Sequence, residues 1–366
     1  MSEVQRAWWG TRVAVCTASL LGIWGLSGQP TDRLPGWLFR WDRWDAQLFT
    51  KVAHFGYLGY PEHYPDKGVI AFFPGLPIVE RALHGVGIDY RLGGLLVSLV
   101  AGAIACAALG RIAALDGGDS RLPVHTVLAL LLSPYAVFLA AGYSEALFLA
   151  LALPAWLAAR RGQWQLAGCL CALACFVRVT GAFLAAALVV EYVVSRRGRL
   201  RPDAAWLLAP GAALVVLVAY QHSVTDDWLA WTHAQRDNWG RKLTNPWDAF
   251  HTTWDAAFHP SGLQSEYIWS FRAEIVAVLI GVVLTAWLLW RRRWGEATYI
   301  GLQVATLATS TFYLSVARAT LLWWPLWIGL ARLGLSRPWL RTAYVAVSAP
   351  LMLVFVVVFT QGRWVG

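Results

Sequence analysis

The sequence predicts an all-α membrane protein that crosses the bilayer many times. Of its 366 residues, 58% are hydrophobic and only 14% are charged, whereas soluble domains average about 25% charged residues. Apolar windows recur along the whole chain at roughly the 17–25 residues that a helix needs to cross a bilayer. We therefore expect one integral membrane domain over residues 1–366, because helices satisfy their own backbone hydrogen bonds in lipid.

About eleven apolar segments are predicted to span the membrane. The first, residues 8–27, is expected to be an uncleaved span with a cytoplasmic N-terminus, because no A-x-A cleavage site follows it. A cleaved signal peptide is the rival interpretation. The later predicted spans are residues 92–114, 123–141, 144–160, 164–178, 180–195, 204–222, 272–290, 296–315, 319–334 and 341–360.

Clusters of arginine predict the orientation of these spans. Basic loops are cytoplasmic as a rule, and the clusters are Arg160 with Arg161, the run RRGRLR (196–201), Arg291 to Arg293, and Arg332 with Arg337 and Arg341. Counting back from them, residues 28–91 form a long first loop that begins and ends outside the cytoplasm. The same count predicts a second large outer loop over residues 223–271.

This orientation requires that the run VIAFFPGLPIV (69–79) does not cross the membrane. As a helix it would be about 16 Å long, against a hydrocarbon core of about 30 Å. It also holds two prolines and a glycine, so we interpret it as an interfacial or re-entrant element. If it did cross, every later span would reverse its direction.

Net charge and cysteine content exclude some classes of function. The charge of +9 is explained by arginines that flank the spans. The sequence shows no basic soluble face of the kind that nucleic-acid binding needs. The five cysteines all fall in apolar segments, which is typical of small buried residues. No histidine pair has the spacing of a zinc motif.

Two carboxylates stand out in the first outer loop. In the run RWDRWDAQLFTKVAHFGYLGYP (40–61), Asp42 and Asp45 each follow a tryptophan directly. The residues after Asp45 have the pattern of an amphipathic helix at the membrane interface, where tryptophan is enriched. Asp45 is then either a chemical group or the N-cap of that helix. Asp42 is either a second cap or a charge partner of Arg40 or Arg43.

Four stretches of the chain resemble the PIG-V family, the GPI mannosyltransferase II type enzymes. The first is RWDAQLFTKVAHFGYLGYP followed by AFFPGLP, which is similar to the first-loop signature of that family. The second, YSEALF with the later turn at Arg178, resembles its SE-(A/S)-L-F block. The third is AQRDNWGR (234–241), and the fourth surrounds Arg318 in SVARATLLWWPLW. Together the matches cover most of the chain in the right order.

The resemblance implies a glycosyltransferase of the GT-C superfamily. Such enzymes have many helical spans and a long first outer loop with an acidic catalytic residue, and their donors are sugars on a polyprenyl or dolichyl phosphate. It implies that Asp45 is the general base that deprotonates an attacking hydroxyl. A positioned carboxylate typically contributes about 10²–10⁴-fold, in a reaction similar to that of an inverting glycosidase.

The resemblance and the predicted topology together suggest the remaining site residues. Arg178, Arg318 and Lys51 are candidates for the donor phosphate, because a leaving phosphate requires cations or donors. The alternatives are membrane-edge arginines whose side chains reach the interface and a lysine that pairs with Asp45. The expected substrate contacts are Asp42, Trp44, Glu145, Gln235, Trp239 and Arg241. For Glu145 the alternative is a structural place at a helix N-terminus.

We expect a polyprenyl-phosphate-mannose donor, an acceptor that is a lipid, a glycan or a protein, and contact with membrane lipids. No cofactor and no metal ligand set is expected, with a divalent cation such as Mg or Mn on the phosphate kept as an alternative. The expected location is the cytoplasmic membrane, with the active site on its extracytoplasmic face. Another lipid-linked sugar as donor, or transport of such a lipid, are the alternative functions. Charges at the span ends, rather than at the bilayer midplane, favour an enzyme.

Overall fold

The apolar runs of the sequence fold into helices in a computed structural model that describes residues 2–26, 34–58, 67–260 and 262–366. Within those ranges the only extended pairing is an isolated bridge between Leu243 and Ser310. The predicted all-α class is therefore confirmed. Parts of the first outer loop, residues 28–33 and 59–66, lie outside the described residues, as does the tripeptide GYP (59–61) of the family signature.

Seventeen α-helices are numbered here in chain order over the described residues. They are α1 Glu3–Leu26, α2 Leu34–Trp41, α3 Asp45–Phe55, α4 Gly75–His84, α5 Tyr90–Leu115, α6 Leu122–Leu131, α7 Ser144–Arg160, α8 Trp164–Cys175, α9 Thr180–Ser195, α10 Ala209–Thr225, α11 Ala230–Trp239, α12 Pro246–Phe258, α13 Ser265–Trp290, α14 Trp294–Ala308, α15 Val316–Ala319, α16 Trp324–Ser336 and α17 Pro338–Thr360. Short 3₁₀ helices at Lys67–Ala71, Pro134–Leu139, Pro202–Leu208 and Thr320–Leu322 connect some of them.

Four helical stretches in the described ranges are long and apolar enough to cross a membrane, and these are Tyr90–Leu115, Pro202–Thr225, Ser265–Trp290 and Pro338–Thr360. Shorter apolar helices include α6, α8 and α9. This supports an integral membrane protein, while the predicted number of about eleven spans stays a prediction.

Two of the predicted spans are interrupted. The segment 123–141 divides into α6 and the 3₁₀ helix Pro134–Leu139, because Pro134 has no backbone N–H and excludes a helical continuation. The segment 319–334 begins with α15 and a 3₁₀ turn, and its regular helix starts only at Trp324. The run 69–79 is likewise two short helices, with Phe72 to Pro74 between them.

The chain divides into two compact units, which are described separately. The first unit comprises Met1–Thr50, Val79–Leu153 and Leu321–Val365. Within it, α5 packs on α1 and α6, and α17 packs on α1 and α16. Helix α5 is capped by Asp89, whose carboxylate accepts hydrogen bonds from the N–H groups of Arg91 and Leu92. Its 26 residues give it a length of about 39 Å, enough to cross a bilayer.

The second unit comprises Lys51–Ile78, Pro154–Thr320 and Gly366. Helices α9, α14, α13 and α12 pack in that order, and α8 packs on both α9 and α10. The end of the AFFPG run (71–75) is closely joined to the end of α8. The Gly75 N–H donates to the Phe176 carbonyl at 2.8 Å, and a β-carbon at Gly75 would lie 2.8 Å from that same oxygen. Only glycine allows this approach.

Three side chains of the second unit hold the backbone of residues 67–73. The Trp239 indole N–H donates to the Gly68 carbonyl at 2.9 Å, and the Gln221 amide donates to the Ile70 carbonyl at 3.2 Å. The Tyr57 hydroxyl donates to the Phe72 carbonyl at 2.6 Å. Because every second carbonyl is bound from a different part of the chain, this element has a fixed conformation.

Candidate active site

The turn that carries the two aspartates is strained at Trp44. Its φ angle of 52° lies in the left-handed region, which is rare for a bulky side chain and costs roughly 1–2 kcal/mol. The Trp44 ring contacts Trp364 edge-on, with 5.2 Å between the ring centroids. Strain of this kind concentrates at functional sites. It directs attention to Asp45, which begins α3 directly after Trp44.

Asp42 is bound to an arginine that the sequence did not suggest. The Arg91 Nε donates to Asp42 Oδ2 at 3.0 Å, and Arg91 also lies over the Phe39 ring, with 4.2 Å from its guanidinium carbon to the ring centroid. The ion-pair partner of Asp42 is therefore Arg91, at the start of α5, and the expected partner Arg43 adds a second positive charge near that carboxyl. Burial raises the pKa of the Asp42 carboxyl, although the hydrogen bond from Arg91 acts to lower it.

A second carboxylate, Glu80, lies in the same small cavity as Asp42 and Arg91. The cavity has an empty volume of about 220 Å³. Glu80 is only 1% exposed, and within the described residues neither Glu80 Oε2 nor Asp42 Oδ1 has a hydrogen-bond partner. Burial, followed by the charge of Asp42, raises the pKa of the Glu80 carboxyl well above its ordinary value.

Glycine at position 94 makes room for Glu80. A β-carbon there would lie 2.8 Å from Glu80 Oε1 and 3.2 Å from the Gly142 α-carbon. The chain at Gly142 is held in turn by the Ser98 hydroxyl, which donates to the Ala141 carbonyl at 2.5 Å. This contact explains why the sequence has small residues where α5 meets the start of α7.

The turn 42–45 is also fixed from the α7 side. The Tyr143 hydroxyl donates to the Arg43 carbonyl at 3.2 Å. Glu145, which was expected to contact substrate, is almost fully buried in the first turn of α7, where a negative charge is favoured by the helix dipole. Arg43 supplies a cation in this turn, and its buried Nε has no hydrogen-bond partner in the described part of the chain.

Two ion pairs lie at opposite ends of α5, and one of them contains Asp42. Arg91 begins α5, whereas Asp116 caps its C-terminus and pairs with Arg332, with 3.6 Å between the charged atoms. The two ends are about 39 Å apart along the helix. The location of Asp42 and the Arg332 cluster on opposite faces of the membrane stays a prediction.

In the second unit, the predicted phosphate ligand Arg318 lies on the short helix α15. The N-terminus of α15 is held by Glu274 of α13, whose carboxylate accepts hydrogen bonds from the N–H groups of Ser315, Val316 and Ala317 at 2.8, 2.6 and 3.0 Å. Glu274 is fully buried. It thus fixes the position of the helix that carries Arg318.

The other predicted cations of the second unit lie in different elements. Arg178 is in the turn between α8 and α9, where its carbonyl accepts a hydrogen bond from the Gly181 N–H at 2.9 Å. Lys51 is on α3, and Arg241 follows α11. The assignment of Arg178 and Lys51 to the donor phosphate, and of Arg241 to the substrate, stays a prediction.

Two expected substrate contacts, Gln235 and Trp239, lie on α11, and their contact with substrate stays a prediction. Trp239 uses its indole N–H for the Gly68 carbonyl and packs on Phe72, with 5.5 Å between the ring centroids. The Gln235 carbonyl accepts a hydrogen bond from the Arg241 N–H at 2.8 Å. No group of three or more histidine, cysteine, aspartate or glutamate residues in the described ranges is arranged to hold a metal ion.

Sequence reasoning missed Glu80, Arg91 and Glu274. Glu80 follows the run 69–79 directly and has no local motif around it. Arg91 lies 49 positions from its partner Asp42, beyond any local spacing. Glu274 had a usable signal. A lone carboxylate inside the predicted span 272–290 is costly in a membrane, and such residues are functional as a rule.

The fold and this turn define a helical membrane protein whose candidate site carries two carboxylates, Asp42 and Asp45, where α2 ends and α3 begins. The model of glycosyltransferase family 87 matches residues 74–315, more than half of the chain. The chain belongs to this family. The matched region begins after Asp42 and Asp45 and ends before Arg318.

Curated relatives agree with this assignment. The chain is 35% identical over 167 residues to GPI alpha-1,6-mannosyltransferase 2 of Mus musculus, and 33% identical over 167 residues to the Homo sapiens protein of that name. Each alignment covers 42% of this chain and 32% of the relative. The matched part therefore spans about a third of the length of these relatives. The resemblance to the PIG-V family is confirmed.

Among solved structures, the chain is similar to ArnT from Cupriavidus metallidurans bound to undecaprenyl phosphate. The similarity covers 88% of this chain and 72% of ArnT, with 18% sequence identity and a TM-score of 0.40.

Proposed function

We propose that the chain transfers mannose from a polyprenyl-phosphate-mannose donor to a hydroxyl group of a glycolipid, glycan or protein acceptor. The observation that carries this proposal is its membership of glycosyltransferase family 87, together with relatives whose names state mannosyl transfer. Multiple apolar helices of membrane-spanning length suit a donor that is anchored in lipid.

In the proposed reaction, Asp45 is the general base. The acceptor oxygen attacks the anomeric carbon as its proton passes to Asp45, and the bond from that carbon to the phosphate oxygen breaks with inversion. The leaving group is a polyprenyl phosphate, which departs as an anion and needs no acid. Support for Asp45 comes from its place in the first-loop signature and from the strained residue Trp44 before it.

Cations stabilise the negative charge that develops on the leaving phosphate. Arg178, Arg318 and Lys51 are the proposed donor ligands, and Arg43 is added because its guanidinium lies in the same turn as Asp45. Trp44, Asp42, Glu145, Gln235, Trp239 and Arg241 are proposed to shape the substrate site. A GT-C type arrangement, with no cofactor, is part of the same proposal.

Transfer is tested with membranes that contain the chain and radiolabelled polyprenyl-phosphate mannose. We expect label to move from the lipid carrier to a second, chemically distinct product, with polyprenyl phosphate released in equal amount. A parallel reaction with a polyprenyl-phosphate glucose donor checks the sugar. Movement of intact labelled lipid across vesicles without release of polyprenyl phosphate would indicate a transporter and would reject the proposal.

The proposed site faces the outside of the cytoplasmic membrane. A Leu58→Cys variant tests this because position 58 follows α3 in the first outer loop. We expect an impermeant thiol reagent to label this variant in intact cells, with the parent chain as the control for its own cysteines. Labelling only after lysis would contradict the predicted topology.

A further inference from the structure

An apolar groove in the first unit lies between α6, α16 and α17. Its empty volume is about 690 Å³, and residues such as Leu128, Leu132, Leu330 and Val345 line it. The Tyr344 hydroxyl donates to the Ala129 carbonyl at 2.6 Å and fixes α17 against α6. A groove of this composition on a membrane helix bundle suits a hydrocarbon chain.

One end of the groove is cationic. Arg341, in the first turn of α17, donates through Nη1 to His125 Nε2 at 3.2 Å, and His125 Nδ1 lies 2.9 Å from the Arg121 carbonyl. A carbonyl only accepts, so the His125 proton is on Nδ1, and Nε2 accepts from the arginine. In this arrangement His125 is neutral and leaves the positive charge of Arg341 uncompensated.

Neighbouring charges differ from Arg341 in this respect. Arg332 is paired with Asp116, and Arg121 is paired with Asp119. Arg341 is exposed, and it forms no ion pair with the described carboxylates. The groove therefore combines an apolar wall with the guanidinium of Arg341, a group that binds phosphate well.

The predicted topology places this end of the groove at the cytoplasmic surface. Arg332, Arg337 and Arg341 form one of the basic clusters expected there, and anionic lipids are concentrated in the cytoplasmic leaflet. Basic pockets between membrane helices on that side bind lipid head groups. Both the charge and the location favour one class of ligand.

We propose that the groove binds one anionic phospholipid of the inner leaflet. Its phosphate contacts Arg341, and one acyl chain lies along Leu128, Leu132 and Leu330. The groove shares no lining residue with the cavity at Asp42, and the proposal does not depend on the transfer reaction.

Native mass spectrometry of the purified full chain tests this site. The protein is titrated with phosphatidylglycerol or with phosphatidylcholine of the same acyl composition. We expect a one-lipid adduct with a preference for phosphatidylglycerol, and Arg341→Gln is expected to lower that preference about fivefold, as for one basic residue at an anionic surface. Arg161→Gln, which removes an exposed arginine outside the groove, is expected to leave the preference unchanged.

A second pair of variants tests the acyl part of the site. Val345→Trp fills the groove, whereas Val347→Trp changes an exposed residue of the same helix that does not line it. We expect only Val345→Trp to abolish the one-lipid adduct while both variants melt at the temperature of the parent chain.

Three results would overturn the proposal. The first is an unchanged lipid preference in Arg341→Gln, and the second is equal lipid binding by Val345→Trp and Val347→Trp. The third is displacement of the bound lipid by a competitor in the same titration, with either of two competitors. If soluble glycerol phosphate displaces the lipid at equal concentration, the site recognises the phosphate group alone and not the acyl chain. If undecaprenyl phosphate displaces it more strongly than phosphatidylglycerol does, the groove belongs to the polyprenyl carrier.

Discussion

Replacement of Glu274 is expected to release the helix that carries Arg318. The Glu274 carboxylate accepts hydrogen bonds from three backbone N–H groups, those of Ser315, Val316 and Ala317. A buried donor left without an acceptor costs about 1–3 kcal/mol. Glu274→Ala removes both acceptor oxygens and leaves three donors without a partner, so it is expected to lower the free energy of unfolding by roughly 3–9 kcal/mol, much of the stability of an ordinary domain.

Glu274→Gln is the more informative variant because it keeps one oxygen acceptor. With that oxygen in the place of Oε2, the bonds to Val316 and Ala317 persist and the bond to Ser315 is lost. The cost is then one hydrogen bond to a charged group, about 1.5–3 kcal/mol. At roughly 2 °C per kcal/mol, the apparent melting temperature should fall by about 4 °C.

Thermal unfolding in detergent measures this difference, with Asp255→Asn as the matched control. Asp255 is an exposed carboxylate of the same unit that lies 3.4 Å from His259 Nδ1, and its replacement should shift the melting temperature by less than about 1 °C. We also expect a raised KM for the lipid-linked donor in Glu274→Gln alone. Melting of Glu274→Gln at the parent temperature would refute the capping role of Glu274.

Two further predictions concern the cavity at Glu80. Burial holds the pKa of this carboxyl above its ordinary value, so its stabilising contribution is complete below about pH 4.3 and is lost as the pH rises. Glu80→Gln should therefore gain melting temperature relative to the parent chain between about pH 5 and about pH 9, and parallel curves would contradict this. Gly94→Ala places a methyl group 2.8 Å from Glu80 Oε1 and 3.2 Å from the Gly142 α-carbon, which should cost about 1–3 kcal/mol of unfolding free energy. Gly211→Ala is the control, because nothing lies within 4 Å of its β-carbon, and equal melting of the two variants would show that α5 has room to adjust.

Helices with strong local signals were predictable from the sequence. The segment 92–114 became Tyr90–Leu115, because an unbroken apolar run follows the capping residue Asp89. The prediction of one uninterrupted span over residues 123–141 was wrong, since the α-helix ends before Pro134. A hydropathy window averages over a proline and therefore does not register such an interruption.

The candidate site was predictable only where it is local in sequence. Asp42, Trp44 and Asp45 lie in one turn, and their pattern identified them. The ion pair between Asp42 and Arg91, and the place of Glu80 against α5, depend on how distant helices pack. Spacing along the chain carries no information about such contacts.

The central claim is that Asp45 is the base for mannosyl transfer, and Asp45→Asn tests it most directly. Asparagine keeps the shape of the side chain but does not accept a proton, so kcat with radiolabelled polyprenyl-phosphate mannose should fall about 10²–10⁴-fold. Asp42→Asn is the matched comparison, because Asp42 is paired with Arg91, and it should lose less than about tenfold. Transfer by Asp45→Asn at the parent rate, or a greater loss in Asp42→Asn, would contradict the account.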